Sequence, residues 1–255
     1  MKKILFQGLA HVAVSFSACS AFAAPVTVTS GSTTGVQIVE PSYGQIKISP
    51  TGIGMMNALK IRDFSASNGA SVTLAQRTHP VTGVTSWTSL AFNTSLQTFT
   101  FDDGSKALLN EGFKGSIKLV APAATYLTTG GELTISDLRV DFLTKTVYAT
   151  VMGANGVGSR VNVALWGYSS ISGHQAYPGG NVQTTVSPLQ LTAEGFNIWA
   201  QSLGYTYNGR VSLNSVNQQS TGFGSLTVTV STNGALPPPV TCENPSAAAP
   251  ATSPF

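Results

Sequence analysis

The sequence predicts an all-β fold, an antiparallel β-sandwich or barrel-like sheet with two short helices. Three observations predict it. Residues 130–166 (GGELTISDLRVDFLTKTVYATVMGANGVGSRVNVALW) read as three consecutive strands, two of them joined at Asn155 and Gly156, a dipeptide that tolerates the positive φ of a tight hairpin. The same alternation of apolar and hydroxyl-bearing residues recurs along most of the chain between turn signals. Charged residues are only 9% of the 255, so the polarity comes from Ser, Thr, Asn, Gln and Gly, a composition suited to hydroxyl-covered strands.

Taken in order, 26–34 (VTVTSGSTT) is an edge strand or a flexible leader, and 36–39 and 44–48 are strands. Ser49 then offers an N-cap and Pro50 fits the first helical position, so a helix follows through Leu59. Residues 71–77, 87–92 and 97–101 alternate as strands, separated by a turn at 79–83 and by Asn93 and Thr94. Asp102 to Ser105 compose a turn, 106–111 (KALLNE) suggests one helical turn, and 113–120 is a strand with one wet face. In the central meander, Leu133 and Ile135 share one phase while Leu138, Val140 and Phe142 share the other. An inserted bulge residue at Ser136 and Asp137 explains that shift. Residues 143–146 turn the chain, and 189–199 (LQLTAEGFNIW) repeats the pattern of strand, hydroxyl cap and glycine seen at 46–56. Ile48/Leu191, Ser49/Thr192, Gly52/Gly195, Ile53/Phe196, Met55/Ile198 and Met56/Trp199 fall in register, either as a repeat or as two independently capped helices. The closing strands are 209–216 and 224–231.

The chain opens with MKKILFQGLAHVAVSFSACSAFAAP. A basic start, an apolar middle and small residues at Ala21 and Ala23 predict a signal peptide over 1–23. Its apolar run is too short and interrupted for a stable membrane span. A rival lipobox reading would acylate Cys19, but Phe16 stands where an aliphatic residue is usual, so the expected product is not lipidated. Cleavage after residue 23 leaves 232 of the 255 residues, and the two lysines lost reduce the 13 Lys+Arg to 11 against 10 Asp+Glu. Such a balance excludes a nucleic-acid surface, which needs a concentrated basic patch. The expected organisation is a single β-rich domain over 24–231 and a Pro/Ala-rich disordered tail over 232–255. With Cys19 removed, Cys242 in that tail has no partner in the chain and is available for an intermolecular disulfide.

No catalytic residue and no metal site is expected. Beyond the leader the chain has only His79 and His174, neither in a metal-ligand spacing. It has no G-x-S-x-G elbow, and 153–158 (GANGVG) lacks the Lys and following helix of a phosphate loop. Asp102 and Asp103 can donate oxygens to calcium but read as a turn. Asp137, Arg139 and Asp141 share one strand face, where a solvated charge cluster is expected. The richest ligand-binding candidate is 166–178 (WGYSSISGHQAYP). Trp166, Tyr168, His174 and Tyr177 share a Gly/Ser-rich loop, with Tyr205 and Tyr207 following the second helix. The alternative is that Trp166 finishes a core strand and the tyrosines cover its edge.

Two segments resemble the HtaA-type domain of bacterial secreted and surface proteins. One is 113–149, with GSIKL, a loop, LTISDLRVD and TVYA; the other is 189–203, LQLTAEGFNIWAQSL. They cover about a quarter of residues 24–255. The chain also resembles proteobacterial exported β-rich proteins. The resemblance implies an exported β-rich fold. It also implies haem binding, which characterised members achieve with a Tyr on an N-terminal helix and a His after the strand equivalent to that of Ile117. At those places this chain has Met55 and Met56, and the loop 121–126 (APAATY). The expected function is an exported, non-enzymatic protein with a structural or binding role at the cell surface or in the extracellular matrix. It would need no cofactor and would partner itself or another surface protein. Its location would be secreted, periplasmic or on the surface of a Gram-negative bacterium. The alternative is a haem- or small-ligand-binding HtaA-like module using Tyr168, His174 or Tyr177, where Tyr and His are both known iron ligands. A secreted hydrolase stands third.

Overall fold

The computed structural model describes residues 24–32, 35–61 and 63–233. The expected signal peptide, the tail from residue 234, Cys19 and Cys242 lie outside the described residues. In chain order the elements are β1 (Pro25–Thr29), β2 (Gln37–Ile48), α1 (Pro50–Ala58), β3 (Asp63–Ser67), β4 (Ser71–Thr78), β5 (Thr85–Asp102), β6 (Leu108–Lys114), β7 (Ser116–Ala121) and β8 (Gly131–Asp141). They continue with β9 (Thr146–Gly153), β10 (Gly158–Gly167), β11 (Ser170–Gly173), β12 (Val182–Ser187), β13 (Gln190–Leu191), α2 (Ala193–Ser202), α3 (Tyr207–Asn217) and β14 (Gly224–Asn233). Every ladder is antiparallel, and the strands form one folded sheet in the order β11-β12-β14-β2-β5-β6-β8-β9-β10-β13, with β1 and β4 on β5 and β3-β7 on β8.

The sheet becomes a sandwich at β6. This strand pairs with both β5 and β8, and then the chain turns at Gly115, whose φ of +137° is open only to glycine. Beyond it β7 leaves β5 and pairs with β3 and β8. The bulge expected at Ser136 and Asp137 sits opposite this corner. Asp137 has φ +49°, its N–H donates to the Gly115 carbonyl, and the β8–β9 register shifts there. The two walls then face each other, because Ile46, Ile48 and Phe92 of one and Ile117, Leu119, Ile135 and Trp166 of the other line the same interior space. The free end of the first wall is tied back to β6, where Leu108 N–H donates to Gln175 and Tyr177 N–H to Lys106.

The two predicted helices share a complete set of end bonds. Ser49 and Thr192 accept from Gly52 N–H and Gly195 N–H at 3.0 Å, satisfying one orphan donor of each first turn. At the other ends, Lys60 N–H and Ile61 N–H bond to Asn57 and Met56, while Gly204 N–H and Tyr205 N–H bond to Gln201 and Ala200. Both are Schellman closures, with Lys60 and Gly204 in the left-handed region at φ +60° and +65°. Both helices thus enter from a strand and close alike, as either reading of the shared register requires.

Several expectations are corrected. Residues 209–216 are not a strand but most of α3, so there are three helices among the described residues. Gly209, Leu213 and Val216 are buried at helical spacing, and that period outweighs the alternation read there. Residues 106–111 form no helical turn, because β6 has ladder partners on both sides, which override local propensity. Asn93 and Thr94 do not separate two strands. β5 runs through them, with Asn93 accepting from Gln45 and Thr94 donating to the Gly44 carbonyl. Asp137 takes no part in a charge cluster. The bulge removes it, leaving Arg139 paired with Asp141 at 3.3 Å and lying 4.4 Å from the Tyr148 ring centre.

Candidate functional site

The six candidate residues from the sequence are not brought into one cleft. Residues 166–177 do not form an exposed aromatic loop. They end β10, form β11 and return toward β12, and the backbone ties to Lys106 and Leu108 fold them inward. Trp166, Tyr168, Tyr177 and Tyr205 are buried. Tyr168 donates its hydroxyl to the Asp141 carbonyl, and Tyr177 packs at 4.8 Å and 4.9 Å from Phe99 and Phe101. His174 is exposed opposite Gln183 on the β11–β12 hairpin, and Tyr207 is exposed on α3. An iron porphyrin needs an apolar slot ending at a ligand atom, and these residues do not form one.

The interior is closed. Trp166 and Trp199 lie 6.2 Å apart, and with six aliphatic and aromatic neighbours they surround a cavity of about 20 Å³, room for one water. Neither indole N–H has a hydrogen-bond partner. The Ser202 and Tyr205 hydroxyls are also without partners, as is Glu111 on β6, which is 0% exposed and has no partner for either carboxyl oxygen. Its ladder neighbours are Phe99 and Val140. Burial pushes its carboxyl up to about 8. Among the described residues no three His, Cys, Asp or Glu side chains are grouped to hold a metal.

Three depressions on the surface of the described residues bear on function. One of about 240 Å³ lies between α1 and the β4–β5 hairpin, where Asn57 and Trp87 exchange two 2.9 Å bonds. A second, of about 460 Å³, runs past Ser49, Ser170, Ser187 and Thr221. Ser49 and Ser170 already donate there to the Gly222 and Ser187 carbonyls.

The third differs in having an exposed aromatic residue, Tyr126, in its lining. It is a trough of about 350 Å³ lined by Ala123, Ala124, Thr125, Tyr126, Thr128, Thr129 and Thr206, with no charged side chain. Its floor is fixed by local bonds. The loop after β7 closes on itself through Thr128 N–H and Ala124 N–H, and Thr128 Oγ1 donates to the Leu203 carbonyl. Thr129 N–H donates to Gly204, and Thr206 N–H to Leu127. Thr206 stands at the N-cap of α3 but does not cap it. Its hydroxyl donates instead to the Tyr126 and Leu127 carbonyls, at 2.6 Å and 3.1 Å. Tyr126 is 79% exposed, with φ +66°, and Tyr207, next in sequence to Thr206, is 80% exposed. Among the described residues neither hydroxyl has a partner. Sequence reasoning passed over Tyr126; the available signal was one aromatic residue in the Ala/Thr loop between two strands.

No protein-family model matches this chain, and no curated protein gives a significant match. Among solved structures, the chain is similar to the haem-binding protein HtaB from Corynebacterium glutamicum, with a TM-score of 0.45 and 10% identity over 82% of this chain and 96% of that one. It is also similar to the C-terminal domain of HtaA from the same organism, with a TM-score of 0.39 and 13% identity over 75% of this chain and 98% of that one. At these identities the likeness is one of outline, and it falls on the HtaA-type proteins that residues 113–149 and 189–203 resemble.

Proposed function

We propose that this chain is an exported, non-enzymatic binding protein that meets a cell-surface or matrix component through its outer face. The observation that supports this most is the trough beside α3: an uncharged depression fixed by backbone bonds and lined by the exposed Tyr126, with the exposed Tyr207 next in the chain to its lining residue Thr206. The leader at 1–23 and the low charge support the exported setting. Mixed with the insoluble envelope and extracellular polymer of bacterial cells, the purified chain is expected to sediment with them saturably. Protein that stays in the supernatant at every loading overturns the reading.

Haem is the second reading, on one observation: Tyr126 and Tyr207 present unengaged phenols, and a tyrosine oxygen can ligate haem iron. Titration with hemin decides it. A Soret shift in the wild type that disappears in Tyr126→Phe or Tyr207→Phe supports this reading, and no shift at stoichiometric hemin removes it.

A further inference from the structure

We infer that the trough formed by Thr125, Tyr126, Thr129 and Thr206, together with the exposed Tyr207 that follows Thr206 in the chain, is a binding site for a neutral carbohydrate chain. The inference deepens the surface-binding reading above and rests on it.

Three observations converge. The first is the backbone of Tyr126. At φ +66° a residue with a Cβ is held in a conformation that glycine or asparagine adopts more readily. Nothing in the packing rewards the choice of tyrosine, because the side chain is 79% exposed. A bulky aromatic residue held in a disfavoured conformation and presented to solvent is a feature that concentrates at ligand-binding positions. The second is Thr206. It occupies an N-cap position where its hydroxyl would ordinarily accept from the first turn of α3, and it donates to the carbonyl of Tyr126 instead. A local helix stabilisation is forgone, and what is gained is a fixed position for the Tyr126 backbone against the start of α3. The third is chemistry. The lining is Ala, Thr and Tyr, with no carboxylate, lysine or arginine.

These properties select the ligand class. An anionic polymer or phosphate would call for cations in the trough, and none lines it. A protein partner would call for a larger apolar core than two tyrosines and two alanines provide. A sugar ring has apolar C–H faces and a rim of hydroxyls. Tyrosine rings offer large rigid surfaces for the first. For the second, the Thr129 and Thr206 oxygens, whose hydrogens already go to backbone carbonyls, can accept, and the exposed Thr125 hydroxyl can donate as well as accept. Val211, one helical turn beyond Tyr207 and also exposed, extends the surface along α3, which suits a chain of several sugars better than a single one.

The test is retention of the full chain on insoluble neutral polysaccharides of glucose, mannose and galactose, beside anionic and cationic polysaccharides as controls. Wild-type protein is expected to be retained on at least one neutral polymer, with little change between low and high salt. Tyr126→Ala and Tyr207→Ala are each expected to weaken retention about tenfold or more, and the double variant to abolish it. Tyr126→Gly separates a binding role from a structural one, because it relieves the backbone. Its melting temperature is expected to rise while its retention falls. Equal retention of wild type and double variant, or retention only on charged polymers, overturns the inference. Sedimentation with cell envelopes but with no neutral polysaccharide overturns it too, while leaving the broader surface-binding reading in place.

Discussion

The stability of this protein is expected to fall as pH rises from about 5 to 8, and Glu111 is the cause. Its carboxyl is fully buried between Phe99 and Val140, and neither oxygen has a partner. Burial alone raises it from the ordinary 4.5 to about 8. Between those values the folded chain holds a proton that the unfolded chain has released, so the folded state loses ground with each unit of pH. The contribution is intact below about 4.5, declines through the window and is flat above about 8. A shift of that size corresponds to a loss on the order of 5 kcal/mol across the window, a large share of the 5–15 kcal/mol typical of a folded domain. Asp141 acts in another range. Burial raises its carboxyl, but bonds from Thr144 and Arg139 bring it down overall, so its contribution is lost only as pH falls through the acid region. Glu111→Met, which keeps the length and removes the charge, is expected to flatten the profile and to exceed wild type by several kcal/mol at pH 8.5. Urea midpoints of both proteins at pH 5, 7 and 8.5 measure this. A flat wild-type profile, or a variant weaker than wild type at pH 8.5, would sink the argument.

The features legible in the sequence were those with a local cause. Ser49 and Thr192 announce their helices because a cap needs only the next three residues, and both caps are formed. The bulge at Ser136 and Asp137 is written in the phase change from Leu133 and Ile135 to Leu138 and Val140, all four of which are buried. What escaped depends on distant partners. Tyr168 and Tyr177 looked exposed because their stretch is rich in Gly and Ser. Tyr168 is buried against the β8–β9 turn, where it bonds to the Lys145 and Asp141 carbonyls, and Tyr177 because the backbone at Gln175 and Tyr177 bonds to residues about seventy positions earlier. Asn93 and Thr94 look like a break until Gln45 and Gly44 of β2 satisfy them. Glu111 resembles any polar strand residue, and only pairing on both sides puts it in the core. The trough was hidden for the same reason: Tyr126 and Thr206 stand 80 positions apart and share it because the Thr206 hydroxyl bonds back to the Tyr126 carbonyl.

Replacing Gly195 by alanine is expected to destabilise the protein by about 2–4 kcal/mol, although alanine is the better helix former. The reason is how α2 lies on the sheet. Thr192 ties the start of the helix to β10 through its bonds to the Ala164 and Leu165 carbonyls, so the first turn has no freedom to lift. A Cβ at Gly195 would then collide with the Leu165 carbonyl oxygen, which is backbone and cannot rotate away. At the far end of the helix Ser202 is equally close to Gly131 and Gly153, where a Cβ would collide with its carbonyl and hydroxyl oxygens. The helix thus touches the sheet at glycines on both ends, and that close approach seats Trp199 against Trp166 and Phe223. Lifting one end opens the core around both indoles. The matched control is Gly54→Ala in α1, where nothing lies within 4 Å of the new Cβ. There the ordinary helix preference operates alone, and stability is expected to rise by about 0.5–1 kcal/mol. Thermal melts followed by tryptophan fluorescence should therefore move in opposite directions for the same substitution in two related helices. Equal shifts would mean that α2 is not held by backbone approach, and that its aromatic contacts alone keep it in place.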